Sequence, residues 1–328
     1  MGRPCLRSEF SWPLAVAQFA FFAIELTAVL DVIPGQDQDV MHGCPLRRYT
    51  VESMTVALAW VAQRNDGVQH LYLASDSRLC GARTDASPKI LTLPRSDCAL
   101  CFAGDTHATY PMMLQIANAI AAHQPARERS LDIARVKDHL LRLFTDLARR
   151  YEVPFSKADI QFIFAGYSWR SKEFRIWTIG YLPEKKRLYE REATAVLPRV
   201  PQIAWIGDWA KRVRSATAKD LLPKGRVANL EPLHVLATFL EKATKEDSIG
   251  GPPQLVRISQ HMTTRPFCVK WRGEDTLLGR PLFDYENVDY WSVDPYTGEI
   301  FLPRKFGHRD DAEAASGADS KLESGVLS

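Results

Sequence analysis

The order of the apolar runs constrains the fold of this 328-residue chain most strongly. Between Met54 and Trp271, blocks of short strand-like runs are separated by two pairs of longer segments with helical periodicity. In a wound parallel sheet, strands and helices would alternate one by one, and here they do not. We therefore predict an α+β fold in which two antiparallel sheets pack face to face, with a helical pair covering each outer side.

The first block of apolar runs predicts two strand pairs. "MTVALAWVAQ" and "QHLYLASDSR" flank the turn-like "RNDGV", which is typical of a β-hairpin. "KILTLP" and "CALCFAGD" are separated by "RSD" and predict a second pair. The predicted helices cover residues 110–124, 130–153, 209–222 and 231–245. Ser130 and Asp132 are expected to cap the second of these helices.

The two ends of the chain differ from this central domain, residues 54–271. Residues 1–53 include an apolar run of about twenty residues and are interpreted as a leader, a propeptide or a misassigned start. A membrane segment is the less favoured alternative, because Gln18 and Glu25 interrupt the run. Residues 272–303 form an aromatic, turn-rich extension that packs either on the domain or on a neighbouring chain. Residues 304–328 are predicted to be a disordered tail.

Composition limits the classes of partner. The net charge of +3 provides no electrostatic case for nucleic-acid binding. The six cysteines lack a framework spacing, which favours a reducing compartment and a cytoplasmic location. Cys98 and Cys101 form a C-x-x-C on a predicted strand, where residues three apart point to opposite faces. We therefore expect a structural role for both cysteines, with no metal site and no cofactor.

A possible nucleophile stands at the head of the first strand. The hydroxyl of Thr55 is a poor nucleophile unless a base removes its proton, and a free α-amine on the same residue could serve. Lys89, at the start of the third strand, would favour the developing alkoxide. Asp76, at the end of the second strand, would keep that lysine charged. An N–H at Gly104 could receive the oxyanion, because no Cβ blocks the approach.

These motifs, "TVALAW", "LYLASDSR", "KI" and "FAGD", resemble the N-terminal half of proteasome β-type subunits and related bacterial peptidases. That family belongs to the N-terminal nucleophile (Ntn) hydrolases, and the resemblance implies their four-layer αββα sandwich. It also implies roles for the matching residues. Thr55 would be the nucleophile and its amine the base, Asp76 and Lys89 the charge pair, and Gly104 the oxyanion donor. Ser77 and Arg78 complete the Asp-Ser-Arg motif as supporting residues.

The second half of the chain departs from the family pattern. A Gly-Ser-Gly is expected where this chain has "IGDW", so Asp208 occupies the serine position. Near the last strands, "EDSIGGPPQLVRI" keeps Asp247, but Ser248 lies one position before the expected serine. In the family these groups normally bond the N-terminal amine, and this chain differs at both positions. Asp208 as an anchor for a charged amine is a separate hypothesis.

The amine mechanism requires that Thr55 become the first residue. Either the chain cuts its own propeptide before Thr55, or Met54 is the true initiator and is removed because threonine is small. The second route is favoured, because it also explains why residues 1–53 look unlike the rest.

The predicted function is a threonine-type peptidase acting on a peptide or amide substrate. The alternatives are a catalytically inactive scaffold and a small-molecule amidase or acylase. The resemblance implies a homo-oligomer, a ring or a dimer, and membrane association is not expected.

Overall fold

The computed structural model describes residues 55–63, 67–79, 84–152, 154–194, 202–221 and 229–303. The predicted leader, 1–53, and the predicted tail, 304–328, lie outside the described residues. In chain order, the strands are β1 (Ala57–Gln63), β2 (Gln69–Ser75), β3 (Ile90–Thr92), β4 (Cys98–Gly104), β5 (Ile160–Ser168), β6 (Glu173–Leu182), β7 (Arg187–Glu192), β8 (Ile203–Ile206), β9 (Gln254–Ser259), β10 (Thr264–Trp271), β11 (Glu274–Leu277), β12 (Arg280–Pro281), β13 (Ser292–Val293) and β14 (Ile300–Phe301). The helices are α1 (Thr106–Ala122), α2 (Gln124–Arg127), α3 (Ile133–Ala148), α4 (Ala210–Leu221) and α5 (Glu231–Lys242).

The strands form a nine-stranded sheet and a five-stranded sheet. The larger has the order β12-β11-β10-β9-β2-β1-β8, with β13 beside β10 and β14 beside β13. The smaller follows chain order from β3 to β7. The predicted hairpin is confirmed: β1 and β2 are antiparallel, with Ala57 opposite Ser75 and Gln63 opposite Gln69. The second predicted strand pair, β3 with β4, is also antiparallel and confirmed.

Four of the helices match the predicted helical segments: α3, α4 and α5 are shorter than predicted, whereas α1 begins before residue 110. The Asp132 side chain caps α3 by accepting a hydrogen bond from the Ala134 N–H, as predicted. Asp105 caps α1 in the same way by accepting from the His107 N–H. The four-residue α2 follows α1 and was not predicted, because Pro125 sits in its first turn and it has no apolar period to recognise.

Buried side chains form three clusters. One contains α1 and α3 residues together with Phe102 and Phe162 of the five-stranded sheet. A second contains α4 and α5 residues together with Trp60 and Phe267 of the nine-stranded sheet. The third contains residues of both sheets, such as Leu71 of β2 and Ile163 of β5. Apolar contacts between the sheets therefore bury the ends of β1, β2 and β3, where the candidate site lies.

The prediction of a four-layer αββα sandwich with matched helical pairs is wrong. Strand accounts for 35% of the described residues and helix for 28%, so these residues contain more sheet than helix. The described part of the chain has five helices rather than two pairs, and its two antiparallel sheets are unequal. The main reason is the segment after Trp271, which adds β11 to β14 to one sheet and had no counterpart in the sequence pattern.

The C-terminal extension, residues 272–303, packs on its own domain. β11 pairs with β10, and the Cys268 N–H donates to the Trp291 carbonyl at 2.9 Å. Val293 is fully buried in the cluster that contains Trp60. Part of the extension therefore contacts the domain of the same chain.

The C-x-x-C cysteines lie on opposite faces of β4, as predicted. Cys98 belongs to the cluster with α1 and α3, and Cys101 belongs to the cluster shared by the two sheets. Complete burial raises the pKa of the Cys101 thiol to about 12. Across the described ranges, no helix is both long enough and apolar enough to cross a bilayer.

Candidate functional site

Thr55, Asp76 and Lys89 meet where the two sheets face each other. The Lys89 ammonium donates to the Thr55 hydroxyl at 2.9 Å and to Asp76 Oδ1 at 2.8 Å. Thr55 is 2% exposed, and the other two residues are fully buried. Thr55 precedes β1, Asp76 follows β2, and Lys89 precedes β3. The ion pair therefore links the nine-stranded sheet to the five-stranded sheet and contacts a hydroxyl group.

Three backbone N–H groups fix the Asp76 carboxylate. Oδ1 accepts from Val56 at 3.2 Å, and Oδ2 accepts from Arg78 at 3.1 Å and from Gly250 at 3.3 Å. With the Lys89 ammonium, both oxygens have hydrogen-bond partners. A buried carboxylate is tolerated when it is paired and hydrogen-bonded in this way. Asp76 can therefore hold the lysine in one position.

Burial and pairing act in opposite directions on this carboxyl group. Complete burial raises the pKa of Asp76 above its ordinary value, and the Lys89 ammonium and the N–H groups of Val56 and Arg78 oppose that rise. Since each charge is buried, the ionised form of one depends on the other. The Lys89 ammonium therefore favours the charged form of Asp76 against the effect of burial.

Gln254 was missed by the sequence analysis and organises the backbone of the site. It is fully buried, and its Oε1 accepts from the Lys89 N–H at 2.9 Å. Its Nε2 donates to the Asp76 carbonyl at 3.2 Å and to the Ser87 carbonyl at 2.7 Å. One amide thus joins the segments that carry both charged groups. A glutamine opening an apolar strand is the only signal in the sequence, and that signal is weak.

Ser77 and Arg78 bind the segment that carries Gly250. The Ser77 hydroxyl donates to the Pro252 carbonyl. The Arg78 guanidinium donates to the Asp247 carbonyl at 3.0 Å, and it forms a two-point contact with the Asp85 carboxylate at 2.6 and 2.8 Å. Arg78 lowers the pKa of Asp85 through these hydrogen bonds. Both predicted supporting residues therefore hold the Gly250 amide against Asp76.

Asp247 and Ser248 are engaged in local contacts. The Asp247 carboxylate accepts from the Thr244 N–H at 2.7 Å and from its hydroxyl at 3.1 Å. The Ser248 hydroxyl accepts from the Trp209 indole N–H at 2.8 Å. The Asp247 carboxylate therefore closes a turn, and Ser248 fastens that turn to the segment beside Asp208.

Asp208 lies in a segment that passes against Thr55. It directly follows Gly207, which has a φ of +93°. A Cβ on Gly207 would lie 1.9 Å from the Thr55 carbonyl oxygen, so only glycine permits this approach. The segment after β8 is therefore adjacent to the backbone of Thr55. Sequence analysis did not single out Gly207, although it had placed Asp208 in the corresponding motif.

Gly104 ends β4 at the same end of the five-stranded sheet as Lys89. Its φ is +119°, and a Cβ there would lie 2.3 Å from the Asp159 carbonyl oxygen. Close packing against Asp159 thus accounts for the glycine by itself. The role of its N–H as an oxyanion donor stays a prediction.

The arrangement can activate a hydroxyl once a base is available. The buried Lys89 cation favours a negative charge on the Thr55 oxygen to which it donates. The Thr55 nitrogen is bonded to Met54 in the sequence, so it is an amide until that bond is cut. Within the described ranges, no cluster of three His, Cys, Asp or Glu side chains could hold a metal ion.

No protein-family model matches the chain, and a search of curated proteins found no match. The functional assignment therefore depends on the site itself.

Proposed function

We propose that this protein is an amide hydrolase, most simply a peptidase, that uses Thr55 as an N-terminal nucleophile. The observation that supports it most strongly is the contact of the Lys89 ammonium with both the Thr55 hydroxyl and the Asp76 carboxylate. A lysine buried only for stability gains little from a bond to a hydroxyl, because a hydrophobic side chain of similar volume would cost less. A lysine that stabilises an alkoxide needs this contact. The chemistry is that of the Ntn hydrolases which the motifs resemble.

The reaction proceeds in two steps. The Thr55 oxygen attacks the substrate carbonyl carbon, its proton passes to the Thr55 α-amine, and a C–O bond forms. The C–N bond of the tetrahedral intermediate then breaks, and the departing amine takes the proton from the α-ammonium group. Water attacks the resulting ester and releases the carboxylic acid and the free hydroxyl. Lys89 remains charged throughout and stabilises negative charge on the Thr55 oxygen, first as that oxygen attacks and later as it is released.

The first experiment tests whether the α-amine is free. N-terminal sequencing of the protein made from its native gene is expected to begin at Thr55, after removal of Met54. A chain that begins at Gly2, and in which an electrophile does not modify Thr55, would overturn the proposal, because an amide nitrogen cannot serve as the base.

The second experiment tests the nucleophile. A threonine-reactive electrophile, followed by peptide mass spectrometry, is expected to modify Thr55 of the wild type. The Thr55→Ser variant should also label, because it keeps a hydroxyl beside the amine. The Thr55→Ala variant should not. Equal labelling of wild type and Thr55→Ala rejects Thr55 as the nucleophile.

A catalytically inactive scaffold is the second candidate function. It is favoured by the Ser248 hydroxyl, which accepts from Trp209, and by Asp208 in the position where a serine is expected. Under this reading, the Lys89–Asp76 pair only joins the two sheets. A protein that begins at Thr55 and yet neither labels nor turns over any amide substrate would support the scaffold.

Partners and location follow from the same proposal. The substrate is a peptide or another amide, and the protein acts in the cytoplasm as a homo-oligomer. The buried free thiols of Cys98, Cys101 and Cys268 support a reducing compartment. Light scattering of the purified chain tests assembly. A monomeric mass at micromolar concentration would contradict both the ring and the dimer.

A further inference from the structure

Two adjoining cavities open where β8 of the nine-stranded sheet faces β6 and β7 of the five-stranded sheet. Their volumes are about 370 and 460 Å³. They share Thr178, Arg191 and Trp205 as lining residues. Because they share these walls, we treat them as one cleft, the β8 cleft.

The smaller cavity carries uncompensated positive charge. Arg191, Lys211 and Arg214 line it, and no carboxylate in the described part of the chain forms an ion pair with them. Glu192 is also in this wall, but the Arg175 guanidinium binds its carboxylate at two points, one of them at 2.6 Å. α4 begins at Ala210 in the same wall, so the positive end of its dipole adds to the field. The wall is suited to an anion.

An apolar surface lies beside these cations. Ile203, Ala204 and Trp205 of β8 form part of the lining, and the Arg214 guanidinium lies 5.7 Å from the centre of the Trp205 ring. A guanidinium stacked on an aromatic ring keeps its N–H groups directed at the edge, where a carboxylate can accept two of them. A ligand that fits has an acidic group next to an uncharged chain.

The other cavity reaches towards the candidate nucleophile. Gln161 and Ile206 line it. The Gln161 Oε1 accepts from the Gly207 N–H at 3.2 Å, and Gly207 is the residue that packs on the Thr55 carbonyl. The β8 cleft therefore leads from the three cations to the backbone beside Thr55.

We propose that the β8 cleft is a substrate subsite that binds an acidic side chain, so that the hydrolase acts on acidic peptides. This specificity rests on the proposed function of Thr55. The cations bind the carboxylate, the Trp205 surface packs on the neighbouring methylene groups, and the peptide continues past Gln161 to the nucleophile. Two charge-assisted hydrogen bonds to a carboxylate correspond to a preference of at least about tenfold over the matching amide.

The kinetic test uses two sets of C-terminally blocked fluorogenic peptide amides. Glu occupies one position at a time in the first set, and Gln replaces it in the second, so that each pair differs only in charge. At its best position, Glu is expected to raise kcat/KM by about tenfold or more, mainly through KM. The ratio of Glu to Gln should fall towards one in Arg191→Gln and Arg214→Gln. It should persist in Arg142→Gln, an exposed arginine of α3 outside the cleft.

A binding test separates failure of the subsite from failure of the hydrolase. Calorimetry of the full-length Thr55→Ala protein measures the affinity for the best Glu peptide and its Gln partner. Suppose that the wild type hydrolyses no peptide, but Thr55→Ala binds the Glu peptide more tightly than the Gln peptide and the added Arg214→Gln change abolishes that preference. This result supports the subsite and rejects the hydrolase. Hydrolysis with equal rates for Glu and Gln peptides overturns the subsite and leaves the hydrolase. Absence of both binding preference and hydrolysis overturns both.

Discussion

The Arg95–Asp97 and Lys89–Asp76 ion pairs are both completely buried, yet their surroundings differ. Arg95 binds both oxygens of Asp97 at 2.6 Å and donates two further N–H groups to the carbonyls of Ala126 and Leu131. The partners are two residues apart, and Arg95 donates to a carboxylate and to backbone carbonyls. Lys89 instead reaches Asp76, thirteen residues away, and the Thr55 hydroxyl, thirty-four residues away.

The difference shows how a structural pair is distinguished from a candidate catalytic pair when burial is the same. The planar guanidinium of Arg95 donates to fixed acceptors. It thereby joins the turn before β4 to α2 and to the segment that follows α2. The ammonium of Lys89 is a compact charge, and one of its donors is used on a hydroxyl that can lose a proton. Burial alone therefore does not identify the site, whereas the identity of the third contact does.

The largest expected effect tests this comparison directly. Lys89→Met and Arg95→Met each leave a buried carboxylate without its partner, and each should lower the free energy of unfolding by about 3–5 kcal/mol. Turnover per folded molecule should fall by about 10²–10⁴-fold in Lys89→Met only. Urea denaturation and active-site-normalised rates measure the two quantities.

Charge-conserving variants provide the control for that prediction. Lys89→Arg keeps the charge but not its position and should also lose turnover, whereas Arg95→Lys should retain it. If Arg95→Lys lost turnover as completely as Lys89→Arg, the distinction between the two pairs would fail.

The next largest effect concerns the amide that joins the two charged segments. Gln254→Leu leaves the Lys89 N–H and the carbonyls of Asp76 and Ser87 without this partner, so it should cost at least about 1–3 kcal/mol. Turnover should also fall, because the Lys89 backbone N–H loses the hydrogen bond to Gln254 that positions it. Gln63→Leu, at the exposed end of β1, is the matched control and should change stability by less than about 0.5 kcal/mol. Full activity in Gln254→Leu would contradict the positioning role.

A further effect is expected at the contact between the C-terminal extension and the site. Gly279 has a φ of +94°, and an added Cβ would lie 2.3 Å from the Ser77 hydroxyl oxygen. Gly273 has a φ of +87° with nothing within 4 Å. Both alanine variants should cost about 1–2 kcal/mol from the backbone strain, but Gly279→Ala should cost about 1–3 kcal/mol more from the clash. Only Gly279→Ala should reduce turnover, and equal rates in the two variants would remove the extension from the site.

The smallest effect concerns an ion pair at the surface. Arg280 holds the pKa of Glu286 well below its usual range, at about 2, by hydrogen bonding to its carboxylate. Because the pKa of Glu286 is lower in the folded chain than in the unfolded chain, the contribution of the ion pair to folding stability is present above pH 4.5 and is lost as the pH falls towards 2. Urea denaturation at pH 6 and pH 3 should show a slightly smaller acid loss in Glu286→Gln than in the wild type. An identical loss in both would show that the pair adds nothing to stability.

Local patterns in the sequence were sufficient for the first hairpin and its polar ends. The apolar runs stop at Ser75, and Asp76 follows at once, so a hairpin brings Asp76 to the same end as Thr55. The capping of α3 by Asp132 was predicted for the same reason, since the capping residue and the capped N–H are two residues apart. Interactions between near neighbours leave a readable pattern because each element largely forms its own contacts.

Contacts between segments that are distant in the sequence could not be predicted from local patterns. Gln254 reaches Asp76 because β9 pairs with β2 and places Gln254 opposite Ser75. Gly250 and Gly207 enter the site in the same way, through turns whose neighbours come from elsewhere in the chain. The larger sheet has nine strands because strands of the extension pair with β10. The predicted fold omitted these strands, since the extension lies outside the part of the chain that resembles the family.

The sequence by itself determined the strands before Trp271 and where they end, and therefore that Thr55, Asp76 and Lys89 could meet. Side-chain alternation and turn residues act within a few positions and do not depend on the rest of the chain. Only the tertiary structure decided that Gln254 and Gly250 complete the surroundings of Asp76, that the β8 cleft is positively charged, and that the two sheets are unequal. These outcomes depend on which strand edges and apolar faces pack together, and many arrangements of the same elements would satisfy the local pattern equally well.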